Sequence, residues 1–192
     1  ILERDLEEKI LPLLDDPEGP ILPYLRPALR DACQEVRGIE QQISSVNKQL
    51  KALAGQMPVV ERLLTVPGIG LITATALVAL VGDVHRFPSG RHFASYLGLT
   101  PREHSSGLTR RLGRISKRGD RYLRTLLIHG ARSVLVSSKK LEQPDRLRSW
   151  ALRIQAHRGH NVAAVALANK LARIAWAVWR QDDSFVSRLQ EV

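Results

Sequence analysis

The sequence predicts a mainly α protein: a long coiled-coil helix, then a helical domain containing a helix-hairpin-helix and a basic, glycine-punctuated loop. Three observations predict it. From Leu25 to Met57 apolar residues recur at alternating spacings of four and three, the heptad pattern of a helix with a narrow apolar seam. A Pro67-Gly68-Ile69-Gly70 turn separates two further helical runs. Beyond Asp120, three more stretches carry apolar residues at helical spacing.

The seam runs through Leu25, Leu29, Ala32, Val36, Ile39, Ile43, Val46, Leu50, Leu53 and Met57. Residues between these, such as Glu40, Gln41, Gln42, Asn47, Lys48, Gln49 and Lys51, suit water. A helix packed on its own globular core carries a wider apolar stripe than this. The spacing therefore predicts one continuous helix over 25–57 that pairs with a helix of another chain, making the protein a homo-oligomer through a coiled coil, or else with the rest of its own chain. Pro27 fits a first helical turn, and Pro58 disfavours helix at Met57.

Ahead of the arm, residues 1–24 read as an acidic linker from a domain this chain does not contain, with a short helix and turn signals at 15–20. Residues 58–180 form the basic domain and 181–192 a tail. In the domain, Pro67, Gly68, Ile69 and Gly70 suit a hairpin whose backbone N–H groups meet phosphate without reading bases; a plain helix–helix turn is the other reading. Helical periodicity fades between Pro88 and Gly119, predicting a long loop or a few short strands. It resumes at Asp120, a good N-cap, with Leu123, Leu126, Leu127, Ala131, Val134 and Leu135 on one face. Further helices are predicted over 145–156 and 161–180.

With 44% apolar and 25% charged residues in 192, the chain has the balance of an ordinary globular protein, with enough length for one core and an arm. It has no uninterrupted apolar run near the roughly 18 residues a membrane span needs, and its opening residues lack a signal-peptide pattern; no membrane partner is expected. The missing initiator Met suggests a piece of something longer. Cys33, the sole cysteine, cannot form an internal disulfide, and a cytoplasmic location is expected.

The net charge of +10 is concentrated. Between Arg86 and Arg158 there are seventeen Lys and Arg against four acids, while the rest of the chain holds twelve against fifteen. Such a segment fits a surface that meets a polyanion, although a solubilising face has the same composition. The candidate DNA-binding side chains are Arg102, Arg110, Arg111, Arg114, Lys117, Arg118, Arg121 and Arg124. Asn and Gln, the planar amides that read adenine, are absent between Arg86 and Glu142, which predicts contact with phosphates rather than bases.

Within this segment Ser105 and Ser106 precede Gly107. A hydroxyl attacking a phosphodiester needs room to approach and cations to balance the building charge, and this stretch offers both. Ser-Ser-Gly is also a common loop sequence. His104 could take a proton from Ser106 or merely touch phosphate. His157 and His160 stand without a Cys or carboxylate cluster, so no metal site is predicted. Neither a P-loop nor a dinucleotide fingerprint occurs.

Four segments together carry a resemblance: 64–70 (Leu-Thr-Val-Pro-Gly-Ile-Gly), 93–101 (Phe-Ala-Ser-Tyr-Leu-Gly-Leu-Thr-Pro), 105–107 (Ser-Ser-Gly) and 113–128, beginning Gly-Arg-Ile-Ser-Lys-Arg-Gly-Asp. In this order they resemble the C-terminal domain of insertion-sequence transposase family one-ten, subgroup eleven-eleven, over about residues 58–180. In that family a RuvC-like domain precedes the coiled coil. The resemblance implies recombination of double-stranded DNA through a covalent phosphoserine intermediate, guided by a structured RNA. It implies Ser106 as the nucleophile, with Ser105 as fallback. It also implies divalent metal, magnesium, on four acids of the RuvC-like domain. No RuvC-like pattern precedes Leu25, so this chain alone is expected to bind no cofactor and to be inactive. Without the resemblance the residues describe a non-enzymatic DNA-binding or junction-binding module that dimerises.

Overall fold

A computed structural model of the protein describes residues 6–106, 109 and 111–185. The chain divides into two compact units at Leu53 and Ala54. The first opens with a π-helical turn, Leu6–Ile10, that runs into α1 (Leu11–Asp15). A 3-10 turn, Pro23–Leu25, then leads into α2 (Arg26–Ala54). Leu6, Leu14 and Cys33 form a small core with Leu11, Ile21 and Val36 packed against it. Arg30 fastens this turn of chain through its ion pair with Asp15 (2.6 Å), and Arg26 donates to the carbonyls of Ile21 and Pro17.

The 29-residue α2 rises about 43 Å. It is shorter at both ends than the heptad alone predicts. Leu25 closes the preceding 3-10 turn by donating its N–H to the Leu22 carbonyl (3.0 Å). Met57 is extended (φ −116°, ψ 96°), because the ring of a following proline crowds the helical conformation. Val36 of the seam packs on the small core, whereas Ile43, Val46 and Leu53 are 55%, 60% and 54% exposed, so among the described residues the later part of the seam is largely uncovered.

The second unit comprises α3 (Pro58–Leu64), α4 (Leu71–Val81), a 3-10 turn at Val84–Arg86 and α5 (Gly90–Tyr96). The strands β1 (Pro101–Glu103) and β2 (Leu112–Ile115) follow, then α6 (Arg121–Ser138), α7 (Arg146–Arg158) and α8 (His160–Gln181). α5 was not expected: its seven residues are too few to set a period, and Ser89 caps it by accepting from the His92 N–H. α7 begins one residue after its predicted start, with Asp145 as its cap, and ends two residues past its predicted end, and α8 runs one residue beyond its predicted bounds at each end. α6 begins as expected at Asp120, whose carboxylate accepts from the Leu123 N–H (2.7 Å).

α8 lies at the centre. Ala163, Ala164, Leu167, Ala168, Leu171, Ala172, Ala175 and Val178 are all buried, a stripe at helical spacing whose small side chains let neighbours approach closely. α5, α6 and α7 pack around it, with α3 near its C-terminal end. Among the described residues α8 alone is long and apolar enough to cross a bilayer by length and composition, and this stripe is occupied by the core. Phe93, Leu97, Leu99, Leu123 and Leu127 are fully buried beside it. The core therefore ends directly beneath the glycine-punctuated segment, which stands on a fixed base.

Candidate nucleic-acid interface and serine hairpin

The glycine-punctuated segment is a two-stranded antiparallel hairpin. Pro101 pairs with Ile115 and Glu103 with Leu112, with a bulge between. The His104 N–H donates to the Arg111 carbonyl (2.8 Å), and Ser106 and Thr109 exchange both backbone hydrogen bonds (3.2 and 3.1 Å). Only two residues, 107 and 108, separate that last pair. Gly107, Leu108 and Arg110 lie outside the described residues.

The root of the hairpin is clamped. Arg124 is only 9% exposed, and its Nη1 donates to the carbonyls of Leu97 (3.2 Å), Gly119 (3.4 Å) and Asp120 (3.4 Å). Asn169 of α8 donates to the Leu99 carbonyl (3.1 Å). Gly119 has φ +125°, and a Cβ there would stand 1.9 Å from the Tyr96 carbonyl oxygen; only glycine permits that crossing. Arg124, counted among the DNA-binding side chains from sequence, is thus placed beneath the hairpin, holding it to the core.

The two serines face opposite ways, because side chains alternate along a strand. Ser105 shares a face with Glu103 and donates to its Oε1 (2.8 Å), while its Oγ also accepts from the Arg111 N–H (3.1 Å). Ser106 shares the other face with His104, Thr109 and Arg111 by register. It is exposed, and among the described residues its hydroxyl makes no hydrogen bond. The His104 ring lies over Gly113, where a Cβ would be 3.5 Å from Cδ2.

Arg102, Arg111, Arg114, Lys117, Arg118 and Arg121 are all exposed. Arg102 donates to the Ser116 carbonyl (3.3 Å) across the hairpin. Lys117 adopts a left-handed backbone (φ 55°), uncommon for a non-glycine residue, and its N–H donates to the Gly98 carbonyl (3.1 Å). Lys117, Arg118 and Arg121 crowd the start of α6, whose dipole already adds positive potential there. Asp120 caps the helix, and the first turn contains no acid.

The Pro67–Gly70 turn joins α3 to α4. Ile69 is buried in the core, so its side chain anchors the turn. Gly68 lies against α6, where a Cβ would come 2.7 Å from the Gly130 carbonyl oxygen. Gly70 is exposed, begins α4 without a side-chain cap, and has open space around it. The first N–H groups of α4, which lack helical partners, are therefore the part of this turn able to meet a phosphate. Among the described residues, no three of His, Cys, Asp and Glu gather as a metal would require.

Residues 60–146 match the family model described as the transposase IS116/IS110/IS902 family. A probable family 20 transposase of Pseudomonas aeruginosa is 45% identical over 157 residues, covering 82% of this chain and 46% of its own length. The transposase for insertion sequence element IS1111A of Coxiella burnetii is 38% identical over 95% of this chain and 50% of its own. The chain belongs to this transposase family. It spans about half the length of the curated relatives it matches. A pilin gene-inverting protein of Moraxella lacunata is 33% identical over 67% of this chain and 39% of its own length. The stretch that matches the transposase model contains the Pro67–Gly70 turn, the hairpin with both serines and α6.

Proposed function

We propose that this chain is the serine-bearing part of a transposase that binds and rearranges double-stranded DNA through a covalent phosphoserine at Ser106. The observation that carries the choice is the difference between neighbours: the Ser105 hydroxyl is occupied by Glu103 and the Arg111 backbone, whereas that of Ser106 is exposed. Ser106 Oγ attacks phosphorus and forms an O–P bond as the bond from phosphorus to a deoxyribose oxygen breaks. The serine proton passes to a base, for which His104 is placed on the same strand face, and the departing oxygen takes up a proton. Attack by a deoxyribose hydroxyl on the phosphoserine then restores the serine and closes a new phosphodiester. Arg111 and Arg114 offset the charge on the phosphate oxygens.

The family resemblance extends the reading to a structured RNA that selects the DNA, and to assembly through α2. Changing Ile43 and Leu50 together to Asp should convert the assembly to monomers, read as mass in solution; a wild-type chain already monomeric at high concentration contradicts pairing.

The DNA-binding half of the reading is tested by salt. Each neutralised phosphate contributes about 0.9 to the slope of log affinity against log salt on duplex DNA. Replacing Arg111 and Arg114 by Gln should flatten that slope by about two units and do so for every duplex sequence. An unchanged slope would place these side chains away from the DNA.

A further inference from the structure

We propose that Lys170, seated over the Trp150 ring, and the neighbouring Arg146 and Arg173 form a second patch that binds the phosphodiester backbone of duplex DNA. The inference rests on the DNA-binding reading above but concerns residues outside the hairpin. α7 and α8 pack against each other. Arg146 and Trp150 lie one turn apart on α7, and Lys170 and Arg173 about one turn apart on α8. Lys170 Nζ sits 4.3 Å from the centre of the Trp150 ring, which joins the two pairs into one cluster.

Among the described residues none of the three cations forms an ion pair or side-chain hydrogen bond with an acid. The nearest acid in sequence, Asp145, is buried, caps α7 through the Arg148 N–H and pairs with the Arg148 guanidinium. Lys170 is held below the ordinary lysine range, first by burial and then by repulsion from Arg173 and Arg146. Three cations held together without an acid partner among the described residues make a place that an anion would relieve.

A polyanion fits better than a single small ion. Arg146 and Arg173 are exposed at the surface while Lys170 is half-buried against the aromatic ring, so the charges are presented as a track rather than enclosed in a cavity. The track also adjoins the hairpin's base. Asn169, next to Lys170, holds the Leu99 carbonyl two residues before β1, and the Arg173 backbone packs on Gly90 at the start of α5, the helix leading to that base.

The test measures duplex-DNA affinity of the chain across a salt series for three variants: Arg146→Gln/Lys170→Gln/Arg173→Gln, Arg111→Gln/Arg114→Gln, and all five combined. The patch variant should flatten the log–log slope by about two to three units, in addition to the loss from the hairpin variant. A hairpin variant that loses slope while the patch variant matches wild type overturns this inference and leaves the DNA-binding reading standing. Absence of DNA binding by wild type sinks both. Loss of RNA binding alone would make the ligand RNA and also overturn it. A readout that needs no variant is the Lys170 side-chain titration followed by NMR: it should move upward on adding duplex DNA, and an unmoved titration contradicts the patch.

Discussion

Ser106→Ala in the full-length protein is expected to reduce strand exchange on the order of 10⁴-fold or more while leaving DNA affinity nearly unchanged. Removing a nucleophile removes the covalent route itself, whereas phosphate binding is assigned to Arg111, Arg114 and their neighbours. The variant should also fold normally, because the Ser106 side chain is exposed and makes no hydrogen bond with a described residue. Ser105→Ala should behave differently. It removes the hydroxyl that links Glu103 to the Arg111 N–H, weakening the hairpin by about 1–2 kcal/mol and lowering activity modestly. If Ser106→Ala retains strand exchange while Ser105→Ala abolishes it, the roles are reversed.

The largest expected effect on stability is at Gly130, where alanine should destabilise the chain by about 3 kcal/mol or more. An added Cβ would stand 1.9 Å from the Gly68 carbonyl oxygen, and that neighbour is backbone, which cannot rotate aside as a side chain can. Gly68 cannot retreat easily, since it sits at φ +79° with its own Cβ position 2.9 Å from the Val134 side chain. The crossing joins the Pro67–Gly70 turn to α6, and so relates one candidate phosphate contact to the helix that follows the other. Gly70→Ala is the control: nothing lies within 4 Å, and its cost should stay under about 1 kcal/mol. Urea unfolding of the two variants measures the difference. Equal midpoints would mean the close crossing carries no energetic weight.

Much of this architecture is legible in the residues because it depends on local rules. Asp120 announces the start of α6 by its capping chemistry, and the four-three spacing announces α2. The ends of α2 follow from short-range sterics at Pro58 and from the 3-10 turn at Leu25, which a heptad count ignores. α5 and the strand pairing were harder to read. The hairpin's partners are joined by register rather than by apolar alternation, since both strands are largely exposed. The role of Arg124 was illegible for a similar reason. In sequence it is one arginine among many, and only the return of the chain at Leu97 and Gly119 supplies the carbonyls that bury it. Lys170 and Arg173 escape a charge count along the chain because their companion, Arg146, is on another helix.

The central claim is tested most directly by trapping the full-length protein on its DNA and mapping the attached nucleotide by mass spectrometry of the hairpin peptide. The account predicts a phosphodiester-linked nucleotide on Ser106, absent from Ser106→Ala and retained in Ser105→Ala. An adduct on Ser105 or on a residue outside the hairpin, or strand exchange completed by Ser106→Ala, would contradict it.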